Sequence, residues 1–501
     1  MSALKRLASD TVVYGISSVV ARLIGYLLVP YFTHIFLPEQ YGLISLVFVA
    51  LGIFNVFFTI GFESAFLKLA SSEEAKNRKR VYSTLVVSLL GYTLFLGSLL
   101  WFSKSFWSYL AGIDDLGNAV ILAMISILVA DSLAVIGFAS LRLQHRAVTF
   151  ASLKLGQVAL NAGLTVLLIE KYDLGIEGVF FANVVASVSA AFLVNILQYK
   201  QLTFVFDKEI LKKALSFGLP FVPAGLAHLI NESFDRYFLL QMDSSRIFEL
   251  YGQNWTADDV IGIYSACYKL AVFALLLVQM FRMAWQPFFL EQSKKKDSPE
   301  VFAKVFTLFN ALLLAAWLVV GLFAKEIAAI TIPFTEVTLI GKQYWAGLFV
   351  VPYLLAAYVF QGWYVVFTSS IFIGGKTKSL AKVTAIGALI TLIGNAFFTS
   401  HYGMQAAAVV TVLSYFVMSI LLWAAGRKDY PIPYSFKTAT LAFMVALGAF
   451  VCYNYGLFGV NDAFIGKLTL LLVALLGIAA ISFMGFRSLG KAEVLKNSAI
   501  G

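Results

Sequence analysis

The sequence predicts an all-α membrane protein that crosses the bilayer about 14 times. The 501 residues are 60% hydrophobic and only 13% charged, a balance that is not typical of a soluble domain of this size. Apolar runs of about 20 residues, the length that spans a bilayer as a helix, recur from one end of the chain to the other. These runs are continuous rather than alternating, which excludes a membrane β-barrel.

Fourteen segments meet this criterion and define the predicted helices. They cover residues 11–34, 42–62, 81–102, 117–141, 149–169, 175–198, 215–241, 258–282, 301–323, 344–369, 379–399, 403–425, 436–457 and 463–486. No loop between them approaches the roughly 50 residues of a small catalytic domain. We therefore expect that the protein is not an enzyme and that its function lies among the helices.

The sequence offers little sign of a cofactor. Both cysteines, Cys267 and Cys452, fall within apolar segments, so they predict neither a disulfide framework nor a metal site. The stretch 370–377 imitates a phosphate-binding loop, but it lacks the first glycine and follows a membrane helix instead of a strand. We expect no bound cofactor, no metal and no catalytic residue.

The basic residues are distributed very unevenly between the two sides of the predicted helices. Of 37 Lys and Arg, 27 lie on the side of the termini, six on the other side and four within spans. Cytoplasmic loops of membrane proteins accumulate Lys and Arg, and this explains the formal charge of +10 without a nucleic-acid partner. We expect a multi-pass protein of the cytoplasmic (inner) membrane with both termini in the cytoplasm. Its Lys294–Lys296 run is suited to anionic lipid headgroups.

The first half of the chain resembles the second half. The motif Tyr14–Ile16 opens the first helix and Phe217–Leu219 opens the seventh, 203 residues later; Tyr41–Ser45 and Ile261–Ser265 open the second and the eighth. Six helices separate each pair, so the halves have the same orientation. The predicted domains are two parallel six-helix bundles, 1–206 and 207–430, and two additional helices in 431–501. Transporters built from such repeats bind substrate between them near the bilayer midplane.

The seventh predicted helix carries a polar stripe. Five polar residues at offsets of zero, three, four, seven and eight share one side of it: His228, Asn231, Glu232, Asp235 and Arg236. A charge that faces lipid costs several kcal/mol, so this side must face other helices or a wet cavity. Pro220 and Pro223 lie in the first turns, where a bend is tolerated if neighbours cover the freed carbonyls.

Further charged residues lie within other spans. Arg22, Asp131 and Lys269 are near the middle of the first, fourth and eighth predicted helices, and Lys154 lies nearer the cytoplasmic end of the fifth. We take four cations as candidate substrate-binding residues, because arginine and lysine suit a phosphate or pyrophosphate: Arg22, Lys154, Arg236 and Lys269. Four other residues are candidates for a coupling proton or sodium ion: Asp131, His228, Glu232 and Asp235.

Each of these residues also has a purely structural interpretation. Asp131 would then pair with Lys154 or Arg22, and Asp235 with its neighbours, so that the ion pairs fix helix packing. The sequence does not distinguish residues that bind substrate from residues that pair with each other.

Several short motifs, in this order, resemble those of a known family. They are Leu37–Leu43 at the entry to the second helix, Gly61–Ala65 at its end, Gly218–Pro220 followed by Asp235 and Arg236, and Ile263–Ser265 followed by Trp285–Pro287. Over about the first 430 residues the chain resembles the polysaccharide flippases, of the O-antigen type, in the multidrug/oligosaccharidyl-lipid/polysaccharide exporter superfamily. Fourteen helices resemble the flippase branches more than the twelve-helix drug exporters.

This resemblance implies a MATE-like core of two bundles that form a V around a cationic cavity. The cavity would take the pyrophosphate head group of an isoprenoid-linked oligosaccharide from the cytoplasmic leaflet, while the lipid tail stays in the bilayer. Alternation between inward-open and outward-open states, driven by a proton or sodium ion, would deliver the glycan for lipopolysaccharide or other surface polysaccharide synthesis.

Three alternatives remain at this point. A multidrug/cation antiporter of the same fold should have a net acidic cavity, whereas cations here are at least as numerous as acids. A peptidoglycan-precursor flippase shares the helix number and the basic cavity. A membrane glycosyltransferase could hold a metal through Asp114–Asp115 or Asp258–Asp259, but the short loops disfavour it.

Overall fold

The computed structural model describes residues 20, 24–71, 75–114, 116–203, 205–333, 336–376, 378–457 and 464–498, except for the side chains of 75–76 and 488–498. Over this part of the chain the backbone is helical, and its β-structure is one isolated bridge between Thr331 and Thr338. The predicted all-α membrane fold class is confirmed.

The helices of the described residues follow one another along the chain as α1 (Ile24–Ile35), α2 (Pro38–Thr59), α3 (Phe62–Ser71), α4 (Ala75–Phe102), α5 (Lys104–Ala111), α6 (Asn118–Leu143), α7 (Ala147–Tyr172), α8 (Gly175–Leu197), α9 (Lys208–Gly218), α10 (Phe221–Ser233), α11 (Asp235–Leu240), α12 (Ser244–Tyr251), α13 (Ala257–Gln292), α14 (Ser298–Leu322), α15 (Ala324–Ala328), α16 (Val351–Ile373), α17 (Lys378–Gly426), α18 (Phe436–Asn454) and α19 (Phe464–Ser498).

Twelve helical stretches within the described residues are long and apolar enough to cross a membrane. Two features account for the difference from the 14 predicted spans. The first predicted span, 11–34, lies mostly outside the described residues, and its described part belongs to α1. The eleventh and twelfth predicted spans together form α17, where Gly403 interrupts the helical geometry with φ 58° and ψ −138°.

The chain divides into two compact units. Unit 1 contains residues 1–241 and 255–262, and unit 2 contains residues 242–254 and 263–501. The chain therefore passes from unit 1 to unit 2 and back again around α12 before it finally enters unit 2 within α13.

In unit 1, α6 packs against α2, α3, α4 and α8. Its buried residues run from Val120 to Leu141 on most sides of the helix, which is the pattern of a helix enclosed by others. A cluster of buried apolar side chains joins α6 to the neighbouring helices through Ile136 and Ala139, with Phe66 of α3 and Leu85 of α4. This packing holds α6, which carries Asp131, beside α7 and α8.

Two spans of unit 1 are interrupted, and their interruptions touch. The second span, Pro38–Ser71, breaks at Ile60 and Gly61, whose φ angles are 40° and 67°. The predicted seventh helix, 215–241, is not continuous but divides into α9, α10 and α11; the division between α9 and α10 lies at Pro220, which lacks the N–H that would continue the ladder. A Cβ at Gly61 would lie 2.5 Å from the Gly218 carbonyl oxygen, and a Cβ at Gly218 would lie 2.5 Å from the Ile60 oxygen. Glycine is therefore required at both positions.

In unit 2, α16 packs against α14 and α17, and the two C-terminal helices α18 and α19 pack against α14. Aromatic rings fill much of these contacts, for example Trp317 of α14 against Phe450 of α18 at 5.0 Å between centroids. A salt bridge of 2.8 Å between Lys467 of α19 and Glu326 of α15 adds a polar attachment. The last two helices are thus an integral part of this unit.

The short helix α12 covers the interruption in α17. A broken helix leaves carbonyl and N–H groups without intrahelical partners. The Tyr251 hydroxyl accepts a hydrogen bond of 2.9 Å from the Met404 N–H, and Arg246 Nε donates one of 3.1 Å to the His401 carbonyl. Burial raises the pKa of Tyr251, which keeps its hydroxyl neutral. The long loop after α11 therefore supplies hydrogen-bond partners for backbone groups that the interruption at Gly403 leaves without intrahelical partners.

Candidate functional site

A polar network in unit 1 brings together two of the predicted charged residues. Lys154 Nζ of α7 donates to Gln157 Oε1 at 3.4 Å, and Gln157 Nε2 donates to Asp131 Oδ1 of α6 at 3.5 Å. Among the described side chains, no direct salt bridge joins Lys154 to Asp131; the Gln157 amide lies between them, with its oxygen toward the cation and its nitrogen toward the carboxylate. Both hydrogen bonds are long, so each charge is held weakly.

The surroundings of this network are partly apolar and partly polar. The Lys154 ammonium lies 4.2 Å from the centroid of the Phe138 ring, and Gln157 also donates to Ser187 Oγ of α8 at 3.3 Å. Ser187 in turn donates to Asn183 Oδ1 at 3.4 Å. An ammonium held by one amide and one ring retains donors for a further acceptor, such as a phosphate oxygen.

Polar residues continue beyond Gln157 along the same side of α7. Lys154, Gln157, Asn161 and Thr165 are spaced by three, four and four residues, which places them in one row. Asn161 Oδ1 and Thr165 Oγ1 are buried, and neither atom has a hydrogen-bond partner among the described residues. We call these four residues the α7 polar row. Of these four residues, only Lys154 was predicted as a candidate, although the spacing of the other three was visible in the sequence.

A second pair of predicted residues forms a close ion pair. Arg236 Nη1 lies 2.8 Å from Asp235 Oδ1 at the start of α11, and the two side chains are only 8% and 4% exposed. The same carboxylate oxygen accepts the Arg236 backbone N–H at 2.9 Å, and the guanidinium also donates to the Glu232 carbonyl at 3.4 Å. The charge of Arg236 is therefore neutralised by its neighbour in the sequence.

The remaining candidates are placed less closely. The predicted stripe of the seventh helix is divided between α10 and α11: His228 is exposed and Glu232 is partly buried, whereas Asn231 is buried. Lys269 is partly buried on α13 in unit 2, next to the buried Tyr268. Arg22 lies outside the described residues. Within unit 1, the structure thus brings Lys154 near Asp131 and Arg236 against Asp235.

Unit 2 contains a small cavity that was not predicted from the sequence. It has a volume of about 190 Å³ and polar residues from two helices, Arg282 and Gln286 of α13 with Tyr364 and Thr368 of α16. Arg282 lies at the end of the eighth predicted helix, 258–282, whereas α13 continues to Gln292. The four-residue spacing of each polar pair was the available signal, since residues at i and i+4 share a helix face.

Comparisons with known proteins give a family and a fold. A family model described as "Polysaccharide biosynthesis protein" matches residues 7–293. The chain is 21% identical over 427 residues to "Lsg locus putative protein 1" of Haemophilus influenzae, a match that covers 82% of this chain and 97% of that protein.

Two solved structures illustrate the shared fold. The lipid II flippase MurJ, in an inward closed conformation, superposes with a TM-score of 0.73 at 15% identity, over 95% of this chain and 99% of that one. An inward-facing multidrug resistance MATE family transporter of the MOP superfamily superposes with a TM-score of 0.62 at 14% identity, over 85% and 98%. Both structures are membrane transporters or flippases, which agrees with the many apolar helices found here.

Proposed function

The chain belongs to the polysaccharide biosynthesis protein family, and from that membership we propose that it flips an isoprenoid-pyrophosphate-linked oligosaccharide across the cytoplasmic membrane. The family match over residues 7–293 is the observation that carries this proposal. The glycan would then serve the synthesis of a cell-surface polysaccharide. The fold of known flippases and transporters supports a transport step rather than a chemical one.

In this proposal the pyrophosphate is bound by cations within the helices, and alternating access delivers it to the other leaflet. We assign this role to Arg22, Lys154, Arg236 and Lys269. The contacts in unit 1 favour Lys154 over Arg236. Breaking a buried ion pair by removing one partner costs about 3–5 kcal/mol, so a phosphate must compete with Asp235 for Arg236. Lys154 gives up one long hydrogen bond to the Gln157 amide, at 3.4 Å, and a ring contact with Phe138.

A coupling ion would bind the acids near these cations. We assign proton or sodium coupling to Asp131, His228, Glu232 and Asp235. The open acceptor atom of Asn161 supports a cation-binding role for the α7 polar row, because hard cations bind oxygen ligands. The excess of basic residues on the side of the termini supports both termini in the cytoplasm and substrate entry from that side.

A second function is favoured by one observation. The similarity to the lipid II flippase covers 95% of this chain, which supports a peptidoglycan precursor as the cargo. Both candidate substrates would present a pyrophosphate to the same cations, so the cation positions do not separate them. The family match favours the polysaccharide precursor.

The test is transport by the purified full chain in proteoliposomes. Fluorescent undecaprenyl-pyrophosphate-linked oligosaccharide is placed in the membrane, and a membrane-impermeant quencher reports the fraction in the outer leaflet over time. We expect the oligosaccharide lipid to equilibrate between leaflets faster than in vesicles with heat-inactivated protein. Equilibration of lipid II alone would replace the proposed cargo with the second one. No acceleration for either lipid would refute the flippase proposal.

A further inference from the structure

The cavity between α13 and α16 in unit 2 has walls that differ sharply from its polar rim. Trp285 and Phe289 are 2% and 1% exposed and, with Phe372, form apolar walls. Arg282 and Gln286, by contrast, are exposed, although they lie on the same side of α13 as Trp285 and Phe289. Two helices hold these groups rigidly, since Trp285 Nε1 donates to the Val366 carbonyl at 3.3 Å and Phe289 stacks on Phe372 at 5.9 Å.

The hydrogen-bond partners of the lining residues determine what they can offer to a ligand. The Thr368 hydroxyl proton is used, because Thr368 Oγ1 donates to the Val365 carbonyl at 2.6 Å. Tyr364 Oη lies 3.4 Å from Thr384 Oγ1, and Thr384 already donates its proton to the Leu380 carbonyl at 2.9 Å. Tyr364 must therefore be the donor in that pair. Both cavity hydroxyls consequently present oxygen lone pairs and accept hydrogen bonds from a ligand.

Arg282 and Gln286 offer the opposite polarity. Within the described part of the chain, neither side chain makes a hydrogen bond or salt bridge to another residue. The guanidinium carries five N–H donors in a planar fork that suits a carboxylate or phosphate. Gln286 adds an amide that can both donate and accept. The site thus combines a cation, an amide, two hydroxyl acceptors and aromatic walls.

We infer that this cavity binds one sugar ring that carries an anionic group, a phosphate or a carboxylate. The anion satisfies Arg282, ring hydroxyls donate to Tyr364 and Thr368, and the apolar walls cover the ring. A simple inorganic anion would leave the aromatic walls uncovered, and an organic cation would be repelled by Arg282. At about 190 Å³ the cavity is smaller than the roughly 300–1,000 Å³ of sites for drug-sized ligands, so it holds one ring.

The choice of a sugar over another hydroxylated anion rests on the proposed function. The cavity would then recognise a single residue of the glycan and contribute to substrate specificity. Its position on two packed helices, not on a loop, suits a precise binding geometry.

The experiment measures binding to the purified full chain in detergent by isothermal titration calorimetry. The probes are glucose 1-phosphate, glucuronic acid, glucose and inorganic phosphate. We expect one or both of the anionic sugars to bind at least about 10-fold more tightly than glucose or phosphate, because each of these lacks half of the contacts. The anionic sugar that binds more tightly identifies whether the site prefers a phosphate or a carboxylate. Equal binding of inorganic phosphate and glucose 1-phosphate would overturn the inference by reducing the site to an anion site.

Two variants test the assigned contacts separately. Arg282→Gln should weaken binding of the anionic sugars about 10-fold or more and leave binding of glucose unchanged. Thr368→Val keeps the side-chain shape and removes the acceptor, so it should weaken binding of glucose 1-phosphate but not binding of inorganic phosphate. Arg146→Gln, which removes another exposed arginine in unit 1, is the matched control and should bind as the parent does. Unchanged binding of glucose 1-phosphate by both cavity variants would refute the site.

This assay does not depend on transport. A chain that binds the anionic sugar but flips no lipid would retain the inference and refute the proposed function. A chain that flips the oligosaccharide lipid but binds none of the soluble probes would retain the function and refute the site.

Discussion

Two cation–carboxylate arrangements in unit 1 involve the candidate residues, and they differ in every contact. Arg236 and Asp235 are buried and lie 2.8 Å apart, so each neutralises the other. Lys154 and Asp131 are partly buried and are separated by Gln157, with bonds of 3.4 and 3.5 Å. A tight pair holds the fold together, whereas separated charges remain able to bind a third group. We therefore expect changes in α9–α11 to alter stability first, and changes to Lys154 and Gln157 to alter transport first.

The largest loss of stability is expected for Arg236→Gln. The variant leaves the Asp235 carboxylate buried without its counter-charge, which should lower the free energy of unfolding in detergent by about 3–5 kcal/mol. Combining Arg236→Gln with Asp235→Asn removes both charges and should restore much of that loss. A single variant as stable as the parent would show that this pair does not hold the fold.

Gly218→Val should have the next largest effect. A Cβ at this position would lie 2.5 Å from the Ile60 carbonyl oxygen, and backbone atoms cannot move aside as a side chain can. Forcing extra atoms into such a contact costs about 1–3 kcal/mol. Gly156→Ala on α7 is the matched control, since nothing lies within 4 Å of a Cβ there. Equal thermal stability of the two variants would contradict the close approach of the two interrupted spans.

Thr165→Val is expected to stabilise the protein. The Thr165 hydroxyl is fully buried and has no partner among the described residues, and an unsatisfied buried polar group costs about 1–3 kcal/mol. Valine has nearly the same shape without that group. A higher unfolding temperature in detergent would support a dry α7 polar row at this point. A lower one would indicate that water or an ion binds the hydroxyl.

Gln157→Glu would replace the amide between Lys154 and Asp131 with a carboxylate and so create a direct ion pair. The new carboxylate would pair with Lys154, as Asp235 pairs with Arg236, and it would repel Asp131. We expect a change in stability of about 1 kcal/mol or less, the range of partly exposed ion pairs, but a clear loss of oligosaccharide transport. Gln157→Met, which has similar length without charge, separates loss of the amide from gain of the charge. Parental transport by Gln157→Glu would remove the functional distinction between the two regions.

The sequence predicted the fold class and the approximate number of spans well, because the length of an apolar run directly sets whether a helix can cross a bilayer. It also predicted that Lys154 and Asp131 lie within spans. It did not predict the close approach of Gly61 and Gly218, since that approach depends on how two segments distant in the sequence pack together.

The contacts of the candidate residues were also beyond the sequence. A polar stripe on one predicted helix did not reveal that Arg236 bonds to the adjacent Asp235 while His228 is exposed. Arg282 lies at the end of the eighth predicted helix, 258–282, where a basic residue has an ordinary explanation in the distribution of basic residues. Its cavity depends on α16, which lies far from it in the sequence and close to it in space.

The most direct test of the account is oligosaccharide flipping by Lys154→Gln in proteoliposomes that contain equal amounts of folded protein. A lost charge-assisted hydrogen bond to the pyrophosphate should lower the initial rate by about 10-fold or more, while thermal stability remains close to that of the parent. Lys154→Arg, which keeps the charge, should retain more of the rate. A parental rate for Lys154→Gln would contradict the claim that this weakly held ammonium binds the substrate.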